Sequence, residues 1–139
     1  MSTVTIERVL DAPPATVWNA FTDASRLALW MWPPRFATSA VSVPESGGAF
    51  RLASVEVGMG VTGTYLDVSA PNRFSLGWRW DDDAHESRVT VILSPCEPGR
   101  TRLELMHSGN RDDAEAADHR DGWTACLGRL AEHVRNDRG

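Results

Sequence analysis

The chain has 139 residues, the usual size of one domain, and a chain of this length can form a hydrophobic core without disulfides or metals. Its net charge of -5 disfavours a nucleic-acid backbone as a partner, and no apolar run approaches the ~20 residues of a membrane helix. All fourteen basic residues are arginine, which excludes the phosphate-loop, Schiff-base and general-base mechanisms that need lysine.

The cysteines and the first residues bear on cellular location. Cys96 and Cys126 form neither a CxxC pair nor the spacing of a zinc site. The N-terminal segment alternates like a strand and lacks the apolar core of a signal peptide. We therefore expect one cytoplasmic domain over residues 1–139, and the arginine bias is typical of a GC-rich bacterial genome.

The first part of the chain predicts one strand and two short helices. Residues 3–10 alternate apolar and polar side chains, which is the period-two pattern of a half-buried strand. The proline pair 13–14 suits the first turn of a helix, where a missing N–H costs nothing. Asp23 can cap a second short helix, and the proline pair 33–34 ends it.

The middle of the chain, residues 40–107, predicts a meander of about six strands. Its turns are short, so strands adjacent in sequence should pair antiparallel. Residues 73–80 give the clearest strand, with apolar and aromatic side chains on one face. The same alternation recurs in two later strands and places His107 on an apolar face.

The last segment predicts a long amphipathic helix. Asp112 can cap its first turn, and Glu115 follows three residues later. The helix must pack on the sheet, so the predicted fold class is α+β: a curved antiparallel sheet of about seven strands wrapped around a long C-terminal helix, with two short helices after the first strand. The apolar stripe of this helix comprises Trp123, Cys126, Leu127, Leu130 and Val134.

Short motifs are spread along nearly the whole chain. They are residues 12–18 (APPATVW), 21–23 (FTD), 29–30 (LW), 47–50 (GGAF), 63–65 (GTY), 107–109 (HSG) and 122–123 (GW). In this order they resemble the START-like (SRPBCC) superfamily of helix-grip folds, which includes polyketide cyclase-like proteins. Within it, the chain is most similar to the branch named for homology to the activator of heat-shock-protein-90 ATPase.

This resemblance implies a deep cavity between the helix and the concave sheet, used across the superfamily for lipids, polyketides, plant hormones and aromatic compounds. The branch name also implies a co-chaperone role. Inward-facing apolar residues can either line such a cavity or simply fill the core, and the sequence pattern does not separate the two. The residues expected to line the cavity are Trp18, Phe21, Trp30, Phe50, Leu52, Tyr65, Phe74, Leu76, Trp78, Trp80, Leu105, His107, Trp123 and Leu127.

Polar candidates within the apolar pattern are few. His107 is a candidate catalytic acid or base, a candidate ligand anchor, or a hydrogen-bonded core histidine, and no second catalytic group can be placed beside it. Tyr65 could donate a phenolic hydrogen bond into the cavity or serve a structural role. Glu56 and Asp67 are further candidate acids, with solvent-facing positions as the alternative.

Several motifs that could suggest a cofactor or metal have a simpler structural explanation. Residues 58–63 match GxGxxG, but a strand follows them where a dinucleotide site needs a helix, so they indicate a hairpin turn and a glycine at a bend. The acidic run 81–83 lacks the glycine and glutamate of a calcium loop and predicts a solvated turn. His119 and His133 lie too far apart for a shared zinc ion. We expect neither metal nor cofactor, and Cys126 falls in the apolar stripe, where a thiol is no nucleophile.

Three functions are compatible with these residues. The first is binding of a hydrophobic or aromatic small molecule in the cavity. The second is a cofactor-free cyclase, hydratase or hydrolase in which His107 and Tyr65 move protons. The third is a co-chaperone-like interaction domain, which requires an exposed apolar patch instead of a cavity. The expected partner is an apolar small molecule, not nucleic acid or membrane, and the sequence is compatible with a homodimer.

Overall fold

The computed structural model describes residues 2–137 and has the predicted α+β helix-grip architecture. All strand pairs are antiparallel, in the order β1-β7-β6-β5-β4-β3-β2, so the first strand joins the far end of the meander. The elements are β1 (Ser2–Leu10), α1 (Pro14–Thr22), α2 (Ala24–Trp30), a 3-10 turn (Pro34–Phe36), β2 (Ser39–Ser42), β3 (Ala49–Ser54), β4 (Met59–Ser69), β5 (Arg73–Trp80), β6 (Ser87–Glu97), β7 (Arg100–Asn110) and α3 (Asp113–Asp137).

The two short helices begin and end where the sequence predicts. Pro14 occupies the first turn of α1, and the Asp23 carboxylate accepts hydrogen bonds from the backbone N–H groups of Ser25 and Arg26 at the start of α2. The Trp30 indole donates to the carbonyl of Ala20 at 2.9 Å, which fixes α2 against α1. These contacts hold the C-terminal end of α2 in place beside α3.

Glycines in the GxGxxG segment allow a tight turn and a close approach between two strands of the sheet. Gly58 has φ +68°, a left-handed turn conformation, and β4 begins at the next residue. A Cβ at Gly63 would lie 2.0 Å from the carbonyl oxygen of Gly77, so only glycine fits where β4 crosses β5. The prediction of a turn and a bend is confirmed.

The long helix α3 covers the concave face of the sheet and packs against α1, α2, β1 and β7. Its first turn is capped as predicted, since the Asp112 carboxylate accepts from the Glu115 N–H at 2.8 Å. Every member of the predicted apolar stripe is buried. Within residues 2–137, no helix is long and apolar enough to cross a bilayer.

The acidic turn after β5 differs from the prediction of a merely solvated loop. Arg51 forms a two-pronged ion pair with Asp81, with N···O distances of 2.8 and 2.9 Å. Arg111 donates to Asp83 in the same way and so ties this turn to the start of α3. Solvent screens exposed pairs of this kind, so they add little to stability and their main consequence is to position the turn.

Candidate functional site

A pocket of about 420 Å³ lies between α3, the C-terminal end of α2 and the strands β4 and β5. It is partly open to solvent, and most of its wall is apolar. Its volume falls in the range of small-molecule sites, which is about 300–1,000 Å³. The lining residues are Met31, Trp32, Pro33, Met59, Trp78, Trp80, Glu115, Asp118, His119, Gly122, Trp123, Ala125, Cys126 and Arg129.

Four tryptophans form the aromatic wall of this pocket. The ring centroid of Trp78 lies 5.2 Å from that of Trp123 and 5.6 Å from that of Trp80, the latter in an edge-to-face arrangement. Trp32 stacks nearly parallel on Trp80 at 6.4 Å. Offset and edge-to-face contacts of this kind are the favoured aromatic geometries, so the wall is held by its own packing.

The Trp78 indole N–H differs from its neighbours on the wall. Among the described residues it is buried and has no hydrogen-bond partner, whereas the indoles of Trp80 and Trp123 donate to His119 and His107 respectively. A buried donor without an acceptor costs roughly 1–3 kcal/mol. The unsatisfied nitrogen lies beneath the surface of the wall, since it is itself buried.

His107 lies behind the wall and is fully buried. Its Nδ1 accepts from the Trp123 indole at 2.9 Å, and its Nε2 lies 2.6 Å from the Ser87 hydroxyl, which in turn donates to the carbonyl of Trp78. This network assigns the proton of the neutral ring to Nε2, so both nitrogens have partners. Burial, aided by the neighbouring His119, lowers the pKa of His107 to about 3.

His119 stacks on His107 with ring centroids 4.0 Å apart, a pairing that the sequence did not indicate. Its Nδ1 donates to the Asn110 amide oxygen at 2.6 Å, because the Asn110 nitrogen is already engaged with two carbonyls. Its Nε2 accepts from the Trp80 indole at 3.1 Å. Burial lowers the pKa of His119 as well, so both rings are neutral at pH 7.

These hydrogen bonds decide what the histidine pair can do chemically. A general base needs a free lone pair within reach of its substrate. The only lone pair of His107 holds the Trp123 indole proton, and that of His119 holds the Trp80 indole proton. The arrangement makes the histidines acceptors that orient the tryptophan wall.

The charged groups of the pocket lie towards the two ends of its α3 side. Near the start of α3, Glu115 accepts hydrogen bonds from the backbone N–H and guanidinium of Arg111. Burial alone would raise the pKa of Glu115, but these hydrogen bonds outweigh burial and hold it below its usual value. Asp118, on the next turn, is exposed. Eleven residues further along, Arg129 is half-buried.

Arg129 and Cys126 bind the end of α2. The Nε and Nη2 of Arg129 donate to the carbonyls of Trp30 and Met31 at 3.0 and 2.8 Å. The Cys126 thiol donates to the same Met31 carbonyl, and burial raises the pKa of this thiol to about 11. Cys126 is therefore a neutral thiol at pH 7, as its place in the apolar stripe predicts.

The structure distributes the fourteen predicted cavity residues over three environments. Trp78, Trp80 and Trp123 line the pocket. A second, almost filled void of about 10 Å³, smaller than one water needs, is bordered by Phe21, Phe50, Phe74 and Leu76 together with Trp78 and Trp123. The residues that border neither cavity, and pack in the core instead, are Trp18, Trp30, Leu52, Tyr65, Leu105, His107 and Leu127.

The remaining polar candidates lie away from the pocket. Tyr65 is buried, and its hydroxyl lies 2.7 Å from that of Ser42; burial raises its pKa. Glu56 is exposed in the turn before β4. Asp67 is exposed and pairs with Arg88 at 3.2 Å. Of the two alternatives for Glu56 and Asp67, the solvent-facing one is observed.

The sequence analysis missed four pocket residues outside α3, namely Met31, Trp32, Pro33 and Met59. The other missed residues lie on α3. Residues 115, 118, 119, 122 and 129 recur at helical spacing beside the apolar stripe, next to Cys126 of the stripe itself, and they are mostly small or polar. A search for the boundary between the apolar and polar faces of α3 would have found them. No three His, Cys, Asp or Glu side chains among residues 2–137 are grouped as metal ligands.

Comparisons with known proteins agree with this architecture. A family model described as "Activator of Hsp90 ATPase homolog 1-like protein" matches residues 11–135. A Chromobacterium violaceum protein of known crystal structure is 29% identical, with a TM-score of 0.84 over 95% of this chain and 96% of that one. The AHSA1 protein of Silicibacter pomeroyi is 27% identical, with a TM-score of 0.77 over 99% and 100%.

An HSP90 activator from Plasmodium falciparum shares the fold, with a TM-score of 0.76 at 23% identity over 92% of each chain. No curated protein matches the sequence. The comparisons therefore support the resemblance stated from the motifs.

Proposed function

This chain belongs to the family of activator of Hsp90 ATPase homolog 1-like proteins, and we propose that its helix-sheet pocket binds an apolar or aromatic small molecule. The observation that carries this proposal is the pocket of about 420 Å³ with its wall of tryptophans. Tryptophan faces offer a ligand large contact area at little conformational cost, since the rings already pack against one another. The ligand would be held by apolar burial, with few polar contacts to orient it.

The unpaired Trp78 N–H supports the same proposal. Its nitrogen is buried, at a cost of roughly 1–3 kcal/mol, so a ligand oxygen or nitrogen reaches it only when the Trp78 ring shifts towards the pocket. Trp80 and Trp123 need no such acceptor, because the two histidines already fill that role. A ligand that carries a hydrogen-bond acceptor therefore gains from such a shift, whereas a purely apolar one does not.

We favour binding over catalysis because of the histidine network. An acid or base mechanism through His107 would require the Trp123 or Ser87 hydrogen bond to break and the ring to leave a fully buried position. Tyr65 lies in the core and does not border the pocket. The family description also names an HSP90 activator, but the fold that this chain shares with the Plasmodium protein at 23% identity does not by itself carry that activity.

Two glycines on α3 provide a matched test of the pocket. A Cβ added at Gly122 or at Gly128 meets no atom within 4 Å, and neither glycine has a left-handed φ, so both accept a side chain. Gly122 lines the pocket and Gly128 does not. The experiment is to titrate N-phenyl-naphthylamine, a neutral fluorescent aromatic probe, into the wild type and into the Gly122→Trp and Gly128→Trp variants.

We expect the wild type and Gly128→Trp to bind one probe per chain, and Gly122→Trp to bind at least about tenfold more weakly, since an indole would occupy part of the site. Native mass spectrometry of freshly purified protein would then reveal the mass of any molecule that co-purifies. Equal probe affinity in all three proteins would place the binding elsewhere and refute the proposal. Absence of probe binding by the wild type would refute it too.

A further inference from the structure

Arg129 contributes the one positive charge among the residues that line the pocket. Its guanidinium is held in place by the carbonyls of Trp30 and Met31, and Nη2 also approaches the Cys126 sulfur at 3.4 Å. Among the side chains that the structure describes, none accepts from the two hydrogens on Nη1, and no carboxylate lies within 4.0 Å of the Arg129 side chain. Backbone carbonyls therefore fix Nε and Nη2 of the guanidinium, while Nη1 has no described protein acceptor.

The α2 carbonyls do not balance this charge. A helix C-terminus carries at most about half a negative charge, and carbonyl oxygens are neutral acceptors. A capping role therefore explains the Nε and Nη2 contacts of Arg129 but leaves a net positive charge beside an apolar wall. A preorganised guanidinium with two free N–H groups in such a place is the group that proteins use for planar oxygen anions.

The acidic residues of the pocket determine how a bound anion is oriented. Arg111 is shared between Glu115 and Asp83, so that end of the pocket keeps a net negative charge. Asp118 lies eleven residues before Arg129, about 16 Å away along the helix at 1.5 Å per residue. An anion is therefore attracted to the Arg129 end and repelled from the Asp118 end. Trp123 lies six residues from Arg129, about 9 Å along α3, so a body of two fused rings reaches the tryptophan wall.

We infer that the ligand of this pocket is an organic acid, with its carboxylate or similar anionic oxygen group on Arg129 and its apolar or aromatic body against Trp123 and Trp78. This inference rests on the proposed function and narrows it to one chemical class. Arg129 is a specificity-determining residue in this arrangement, because a neutral molecule of the same shape would leave Nη1 unpaired.

The test uses two competitors that share one body. Naphthoate carries a carboxylate and naphthalenemethanol a hydroxyl, and each is used to displace N-phenyl-naphthylamine from the protein. With the wild type, we expect naphthoate to displace the probe at about a tenfold lower concentration, as a hydrogen-bonded charge pair would give. This measurement needs no variant and stands even if a substitution at Arg129 weakens folding.

Two variants test whether Arg129 causes the preference for the acid over the alcohol. Arg129→Gln should reduce the ratio of the two displacement concentrations to about one, while Arg120→Gln, an exposed α3 arginine that donates to the Thr5 carbonyl outside the pocket, should retain it. A wild type that binds the probe but does not prefer the acid overturns this inference and leaves the proposed function standing. An acid preference that survives in Arg129→Gln also overturns it. A wild type that binds no probe overturns both.

Discussion

Acidification from pH 7 to pH 5 should destabilise this protein through its buried histidines. His107 has a pKa of about 3 in the folded state, against about 6.5 for a free imidazole. Between those two values the unfolded chain binds a proton at this site and the folded protein does not. Stability is therefore complete above pH 6.5 and is lost as the pH falls towards 3.

The magnitude follows from the unfolded chain. A pH of 5 is about 1.5 units below the pKa of a free imidazole, so protonation then stabilises the unfolded state by about 2 kcal/mol per histidine. The pKa of His119 is lowered in the same direction by burial, so it adds to the loss. Glu115 faces the pair and opposes this effect, since its charge favours the protonated rings. We expect the free energy of unfolding to fall by at least about 2 kcal/mol.

Urea denaturation followed by tryptophan fluorescence at pH 7, 6 and 5 measures this loss. The matched variant is His107→Asn, whose amide oxygen can still accept the Trp123 hydrogen bond but cannot be protonated in this range. It should be less stable than the wild type at pH 7, yet lose about 2 kcal/mol less between pH 7 and 5. A wild-type stability that does not change over this interval, or an unchanged slope in the variant, would refute the assignment of neutral buried histidines.

Three substitutions test the fold that supports the pocket. Leu127→Ala, at a fully buried position of α3, should cost about 2–5 kcal/mol in urea denaturation, and a shift near zero would contradict the packing of α3 on the sheet. Gly63→Ala should cost roughly 1–3 kcal/mol in the same assay, because its methyl group would overlap the Gly77 carbonyl; wild-type stability would mean that β4 and β5 cross differently. Asp23→Ala should lower the melting temperature through loss of the α2 cap, and an unchanged melting temperature would show that the cap contributes nothing.

Much of the fold can be predicted because local periodicity determines it. Residues 73–80 alternate so regularly that the strand, its buried face and its antiparallel neighbours follow from the pattern. The caps at Asp23 and Asp112 are equally local. The pairing of β1 with β7, which joins the two ends of the chain, is not local, and the sequence analysis did not predict it.

The pocket is harder to predict because it depends on distances between elements. Phe74 and Trp78 have the same pattern on the same strand, yet Trp78 lines the pocket and Phe74 packs beneath α1 against Trp18 and Phe21. Which of them borders open space is decided by where α3 diverges from the sheet. His119 illustrates the same limit, since its helix position gives no sign that it stacks on His107 from another element.

The histidine pair and the tryptophan wall form one unit, and this explains why polar residues are retained in the core. The four rings of His107, His119, Trp80 and Trp123 satisfy one another. Replacing His107 with an apolar residue would leave the Trp123 N–H buried without an acceptor, and replacing His119 would remove the acceptor of the part-buried Trp80 N–H. Because His107 has a pKa of about 3 in the folded state, and burial lowers the pKa of His119 in the same direction, the wall keeps its shape as the unfolded state gains protons. Mild acid therefore lowers the fraction of protein that is folded and leaves the pocket of each folded molecule intact. The Trp78 N–H remains the one indole donor of the wall without a described protein acceptor for which burial is complete.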